Sequence, residues 1–520
     1  MTLEKLPLET VNDFSNLFID YLSGNSSLEK YYNLPPHIES FGQVLKNKKF
    51  PPENRKKLQQ VLKKQYKELV QSRTVEQNLQ KITDEHTFTI TTGHQLNIFM
   101  GPLYFIYKIV TVISLCKKLK ETYPEYHFVP VYWMASEDHD FEEINHFHLF
   151  GKKYTWETQQ AGAVGRFHPE EISVIFEQLP ERIALFEKAY TEHKTLADAT
   201  RYFINELFGE EGLLTLDADD PTLKSLFEQV IKDDLTRHTA KKLVEETSAA
   251  LDTLGYKTQV FSRDINFFYL DEGVRERIVK EEDRYQVLNT NLQFSEEEIL
   301  QLVNEHPEKF SPNVILRPLY QEMILPNLGY VGGPAEIAYW LQLKPVFEHY
   351  QQPFPILLPR TFALVINKTN ARKMHKIPLA ARDMFMDTHA LVKKFLDNSA
   401  EHGIHLKKEK EILQEIFSSV KNKAAAVDKS LDGFIGAEAN KVQKILETIE
   451  KRLKKSEERN QATAVKQIES LKEKLFPNGA LQERQDNFLN FYINTPEILQ
   501  HFLDHFDPFD FRFNIVIEDD

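Results

Sequence analysis

Apolar side chains along the chain recur with two different periods, and the two are separated by region. Between Asn54 and Gln80, Leu58, Val61, Leu62, Tyr66, Leu69 and Val70 follow three- and four-residue spacing. That spacing predicts helix with one buried stripe, in a charge-rich extension covering residues 1–85. Strand-like patterning starts next. Thr87–Thr91 is a β-branched run, Gly93–Pro102 a turn and Leu103–Lys120 a helix. His127–Ala135 and Leu213–Asp217 are continuous apolar runs of the kind that parallel sheets bury on both faces. Gln259–Phe261 and Asn266–Leu270 predict strands of an inserted module. Asn327–Pro334 reads as a glycine turn before a helix over Ala335–Leu343, and Ile356–Leu358 and Phe362–Ile366 are further apolar runs. Strand, helix and strand with polar residues after each strand predict an α/β doubly wound sheet over residues 86–378. Ligands of such a sheet bind beyond the carboxyl ends of its strands.

The pattern changes after Pro378, and no proline recurs before Pro477. Leu413, Ile416, Val420, Ala424, Val427 and Leu431 form one stripe. Val442, Leu446, Ile449 and Leu453, then Ile468, Leu471 and Leu475, form a second. Residues 379–476 thus predict two antiparallel helices joined by a turn at Gly433 and Gly436. The second would be roughly 55–60 Å long at about 1.5 Å per residue. Lys454–Gln461 is almost wholly polar and interrupts the seam. An arm of this length rarely buries its stripe alone, so a homodimer through the coiled coil is expected. Residues 477–520 return to the core.

Composition narrows the function. With 520 residues the chain is expected to hold more than one domain, and 37 phenylalanines can fill a large core. The formal charge of −14 disfavours general nucleic-acid binding, although a local basic pocket could still hold a small anion. Cys116 is the single cysteine, which excludes an internal disulfide and any Cys-ligated zinc site within the chain. Its setting between Leu115 and Lys117 reads as a core thiol. No apolar run spans a bilayer and the acidic start lacks a signal pattern, so no membrane partner and a cytoplasmic location are expected.

Four segments can carry chemistry. The first is Thr92, Gly93, His94, Gln95 and Asn97, with Gly101, between a strand and a helix. Free backbone N–H groups at such a turn favour phosphate, and His94 can donate as charge develops. A capped turn with a structural histidine is the alternative. The second is Ser136, Glu137, Asp138, His139 and Asp140, followed by Glu142, Glu143 and His146. These could relieve an amine of its proton, hold an ammonium group or bind a divalent cation such as Mg2+. On a continuing helix His139 and Glu143, like Glu142 and His146, would share a face. Acids that simply favour a helix N-terminus are the plainer reading. The third is Tyr330, Gly332, Gly333 and Glu336, a tight loop entering a helix at Pro334. The fourth is Arg360, a candidate clamp for phosphate or carboxylate; Lys368 and Arg372 read as solvated surface.

Together the strings TTGHQLNIFMGPLYFIYK (91–108), VPVYWMASEDHDFEEINH (129–146), GYVGGPAEIAYWLQLK (329–344), PRTFALV (359–365) and LQER (481–484) resemble the BshC family, assigned as cysteine ligases of bacillithiol biosynthesis. The resemblance implies a Rossmann-like core akin to class I aminoacyl-tRNA synthetases, with inserted connecting modules and a dimerising coiled coil. It also implies an ATP-dependent C–N ligase that joins cysteine to the amine of glucosaminyl-malate, the last step of that pathway. His94, Glu137, Asp138, His139 and Asp140 would then be catalytic, with ATP phosphates at the Thr92–Gln95 turn. Ser136, Gly332, Gly333 and Glu336 would line the substrate pocket. A second nucleotide pocket, for ATP or ADP, would lie near Gln482, Glu483 and Arg484. A nucleotidyltransferase or hydrolase on the same core, and a non-catalytic nucleotide-binding dimer, are the rival readings.

Overall fold

The computed structural model describes residues 1–11, 13–399 and 405–518. Compactness divides the chain into two units. One holds Lys5–Ala363 and Glu483–Asn514; the other holds Met1–Glu4, Leu364–Gln482 and the segment from Ile515. The division at Leu364 falls ahead of the composition shift at Pro378, and residues 5–85 belong to the larger unit.

At the centre of the larger unit is a five-stranded parallel sheet. Its order is Ile356–Pro359, Asn327–Gly332, Thr87–His94, His127–Met134, Leu214–Asp217. Thr87–His94 and Asn327–Gly332 are buried throughout, as both-face coverage requires. Buried hydroxyls there find partners: Thr89 and Thr91 both donate to Asn327 Oδ1, at 3.2 and 2.9 Å. Chain order reverses between Thr87–His94 and Asn327–Gly332, so the topological switch point of the doubly wound sheet lies there. The helix Tyr104–Thr122 covers the sheet and buries Cys116 among Phe88, Ile90, Val112 and Leu328. Burial pushes the Cys116 thiol well above its usual range, which fits a core thiol.

Asn327–Gly332 is a central strand, not the glycine turn that its sequence suggested. Flanked on both sides by other strands, it uses Gly329 to pass close to the Phe41 ring, 3.2 Å from where a Cβ would sit. The Asn54–Gln80 stripe forms two helices, Pro52–Gln65 and Arg73–Lys81. Gln259–Phe261 is irregular rather than strand. The inserted module is an antiparallel sheet of order Gln293–Phe294, Arg284–Val287, Val274–Glu281, Phe267–Asp271, Phe310–Pro312.

The smaller unit contains the arm. Lys407–Val427 and Asp432–Asn460 are the paired helices, and Ala462–Leu475 follows. The turn lies at Asp428–Leu431, where Asp428 accepts from the Ser430 N–H at 2.8 Å; Gly433 and Gly436 are inside the next helix. The first helix ends where Asp428 turns extended (φ −154°, ψ 116°), and the Asp428 side chain caps the turn that follows; the glycines do neither. The single long second helix breaks at Gln461, at the end of the polar stretch, because nothing apolar holds that turn against a neighbour. Val465, Ile468, Leu471 and Leu475 are buried, whereas Ile412, Ile416, Val420, Phe434, Ile445 and Ile449 are exposed.

Candidate active site

All five parallel strands deliver functional side chains at their carboxyl ends. Thr87–His94 ends in His94, His127–Met134 leads into Ala135–Asp140, and Asn327–Gly332 leads into Gly333 and Glu336. Ile356–Pro359 leads into Arg360, and Leu214–Asp217 ends in Asp217. A cleft of about 360 Å³ opens there. Lys108, Arg317, Arg360 and Arg484 bring four cations to its wall in a protein of net charge −14.

Each of three cations is oriented by a neighbour. Lys108 Nζ lies 2.5 Å from Glu336 Oε2 and donates to the Gly93 carbonyl at 2.8 Å. Arg360 Nη2 donates to Glu483 Oε1 at 2.5 Å, with both side chains buried, while its Nε makes no hydrogen bond among the described residues. Arg317 stacks near Trp133 and Tyr330, each ring centroid 5.6 Å from the guanidinium carbon. Glu336 is fixed from three sides, since Tyr330 Oη and the Gly333 N–H both donate to it at 2.7 Å.

His94 stacks on Phe105 with ring centroids 4.6 Å apart. Burial, then the nearby Lys108 and Arg360, push its imidazole well below the usual histidine range, so it is neutral at pH 7. Its Nε2 is buried without a hydrogen-bond partner among the described residues. A neutral ring with one free nitrogen among cations suits an anionic ligand whose oxygen receives the hydrogen bond.

The loop from Gln95 to Leu103 is held in an uncommon conformation. Phe99, Met100 and Gly101 have φ of 50°, 69° and 55°. At Gly101 a Cβ would sit 2.5 Å from the Asn97 Cβ, so only glycine fits. Asn487 Nδ2 donates to the Phe99 and Gly101 carbonyls at 2.8 and 2.7 Å, and Tyr190 Oη accepts from the Phe99 N–H at 2.8 Å. These bonds over-determine the strained backbone.

A second cleft, of about 390 Å³, shares Trp133, Ala135 and Arg317 with the first. Asp138, His139 and Asp140 line it. Arg275 Nη1 donates to His139 Nδ1 at 2.5 Å and lies 3.5 Å from Asp138 Oδ1. Arginine has no acceptor, so His139 Nδ1 must accept and, in the neutral ring, Nε2 carries the hydrogen. That tautomer makes His139 a donor toward the cleft and leaves it no free lone pair there to act as a base. The three ligand atoms of Asp138, His139 and Asp140 lie within 4.8 Å of one another. Arg275 already occupies two of those residues, so this donor set does not fit a divalent cation.

A family model for the N-terminal Rossmann-like domain of bacillithiol biosynthesis BshC matches residues 1–361, and one for the C-terminal coiled-coil domain of BshC matches residues 363–518. The chain belongs to the BshC family. A relative from Flavobacterium johnsoniae, named "Putative cysteine ligase BshC", is 43% identical over 99% of this chain and 100% of its own length. One of the same name from Cytophaga hutchinsonii is 42% identical over 98% of each chain. Another from Bacillus cytotoxicus is 28% identical over 91% of this chain and 92% of its own.

In this BshC chain the structure gathers only part of the site that the sequence suggested. Gly93, His94, Gln95, Tyr330, Gly333, Glu336, Arg360 and Arg484 line the first cleft. Thr92 does not: its hydroxyl stitches two strands by donating to the Val331 carbonyl at 2.8 Å. Gly332 packs at the turn, with Tyr330 and Glu336 side-chain atoms each 3.1 Å from where a Cβ would sit. Gln95 Nε2 bridges Asp138 and Glu143 at 2.9 and 2.8 Å, and Asn97 braces the Glu143 carbonyl at 3.1 Å. Ser136 donates to Asp217 at 2.5 Å. Glu137 is taken by the fully buried Lys224 at 2.6 Å, which makes it a brace rather than a free base. The expected helix after Asp140 is only Phe141–Ile144, because the chain turns into the strand His146–Leu149. His146 therefore shares no helix face with Glu142, and its Nδ1 pairs with Asn145 at 3.0 Å.

Gln482, Glu483 and Arg484 take three separate positions. Gln482 pairs with both backbone groups of Val365, at 2.8 and 3.0 Å, and Glu483 holds Arg360 and the Ala363 N–H. Arg484 joins the first cleft. Lys108, Asp217, Lys224, Arg275 and Arg317 gave no functional signal in the sequence, whereas Glu143, named there with the acidic segment, lines the first cleft. Single charged residues inside helices or strands carry no local signal until the fold places them.

Proposed function

We propose that the chain is an ATP-dependent C–N ligase that joins cysteine to the amine of glucosaminyl-malate. The names of its relatives support the reaction class. The observation that carries the nucleotide is the set of four cations around neutral His94 at the switch point. Polyphosphate would lie against Lys108, Arg317, Arg360 and Arg484, with His94 donating to a phosphoryl oxygen. The cysteine carboxylate attacks phosphorus, forming an acyl phosphate or an adenylate as ADP or pyrophosphate departs. The amine then attacks the acyl carbon, a C–N bond forms, the C–O bond to phosphate breaks, and the amine proton leaves. Asp140, more than half exposed and without a short ion pair, is the group to take it, assisted by Asp138. No step here is routed through a metal, because Arg275 already engages two of the three residues of the Asp138, His139 and Asp140 set.

Purified protein with ATP, cysteine and glucosaminyl-malate should yield a thiol of the coupled mass with stoichiometric nucleotide turnover. Nucleotide cleavage that ignores cysteine would favour a hydrolase or nucleotidyltransferase instead. Nucleotide binding with no turnover under any condition would favour the non-catalytic reading.

The exposed apolar stripe from Ile412 to Leu453 supports a homodimer through the arm, since a monomer leaves it in water. Ile416→Glu with Ile449→Glu should halve the mass found by light scattering. No described helix is long and apolar enough to cross a membrane. Use of ATP favours the cytoplasm, which fractionation of cells would test.

A further inference from the structure

Two guanidinium groups in the second cleft have no acidic partner among the described residues. Arg277 is half-buried on the strand Val274–Glu281, and Arg263 is on the loop before Phe267–Asp271; both line the cleft. Arg275 and Arg277 are two apart on that strand, so they share a face. Arg275 is committed to Asp138, His139 and Ser311, and lies 4.1 Å over the Phe268 ring. Arg277 has no such fixture. Burial, then the proximity of Arg263, push its guanidinium below the usual arginine range. Like charges brought together beside a cavity favour an anion between them.

The cleft is therefore polarised. Free cations stand on the inserted module, and Asp138 and Asp140 stand on the loop after the strand His127–Met134. Its inner wall of Trp133, Ala135 and Arg317 is also the wall of the cation-rich cleft. A ligand with a carboxylate head and an amine tail would complement both ends, with the amine toward the carboxylates.

We propose that the second cleft is the acceptor subsite, in which Arg263 and Arg277 bind the carboxylates of an anionic amino-sugar conjugate and Asp140 faces its amine. This rests on the ligase reading for the identity of the amine, and not for the presence of the anion site. Paired guanidinium–carboxylate bonds are directional, so the arginines would select conjugates carrying a dicarboxylate over the bare sugar.

Calorimetry without ATP or cysteine tests this apart from turnover, with glucosaminyl-malate and methyl glucosaminide as probes. The wild-type protein should bind glucosaminyl-malate tighter by on the order of tenfold or more, from charge-assisted hydrogen bonds. Arg263→Ala with Arg277→Ala should abolish that preference and leave ATP affinity and the melting temperature unchanged. Arg277→Lys, which keeps the charge, should retain part of it. Equal affinity for the two probes, no binding of either, or a preference that survives the double substitution would overturn the assignment. Turnover with an unchanged preference would sink the subsite alone and leave the ligase reading standing.

Discussion

Lys108 Nζ lies 2.5 Å from Glu336 Oε2, and this contact ties the helix after the strand Thr87–His94 to the helix that follows Asn327–Gly332. Burial pushes the Lys108 ammonium down even though Glu336 counters it. The Glu336 carboxyl is raised by burial but held below its usual range by Lys108, the Gly333 N–H and Tyr330. Lys108→Met leaves Glu336 without its cation. The expected cost is about 3 kcal/mol in a urea melt, as for other buried pairs broken on one side. ATP affinity should fall as well, since one phosphate-facing charge is lost.

Glu137 and Asp140 are expected to separate stability from chemistry. Glu137→Gln removes the charge that neutralises buried Lys224, so the melting temperature should drop while the pH profile of kcat keeps its shape. Asp140→Asn should leave melting unchanged and lower kcat by about 100-fold or more, within the range for losing a general base. Matched thermal melts and initial rates on both variants distinguish the roles. A large kcat loss in Glu137→Gln with an unchanged melt would reverse the assignment.

Asp217 is pushed up to about 6 by burial and by Asp219. Its folded pKa exceeds the unfolded value near 3.8, so the folded state binds the proton more tightly. Stability from this group is fully present below about pH 4 and is lost as pH rises through about 6. Asp217→Asn keeps an oxygen to accept from Ser136 and the Asp219 N–H, and it removes the titration. The difference in unfolding free energy between variant and wild type should grow in the variant's favour from about pH 4 to about pH 7. A difference that is flat across this range would count against the assignment.

Asn487 clamps a loop that is left-handed at three successive residues. Asn487→Ala removes both clamping bonds, and a loss of about 2 kcal/mol in a urea melt is expected. Amide exchange in residues 97–103 should quicken before any change in the sheet, because the strain there is released first.

The apolar runs at His127–Ala135 and Leu213–Asp217 identified buried parallel strands, since a strand covered on both faces loses the apolar–polar alternation of a half-exposed one. The same logic failed at Asn327–Gly332. Its Asn327, Gly329 and Gly332 are turn residues by type, yet Asn327 satisfies the Thr89 and Thr91 hydroxyls and glycine makes room for Phe41. Those reasons exist only once the neighbouring strands are in place. Likewise Gly433 and Gly436 resembled a turn, but the chain leaves the helix at the extended Asp428, whose side chain caps the turn Lys429–Leu431.

By itself the sequence determined the doubly wound class, the helical arm, the absence of a thiolate metal site and the strand-end segments that meet at the cleft. Periodicity and residue chemistry are local, and local patterns suffice for these. Only the tertiary structure decided which charges are free. Glu137 and Glu483 are neutralised by Lys224 and Arg360 from distant segments, whereas Arg263 and Arg277 are left without acids among the described residues. Pairing depends on distances between residues far apart in the chain, and a sequence carries no such distances.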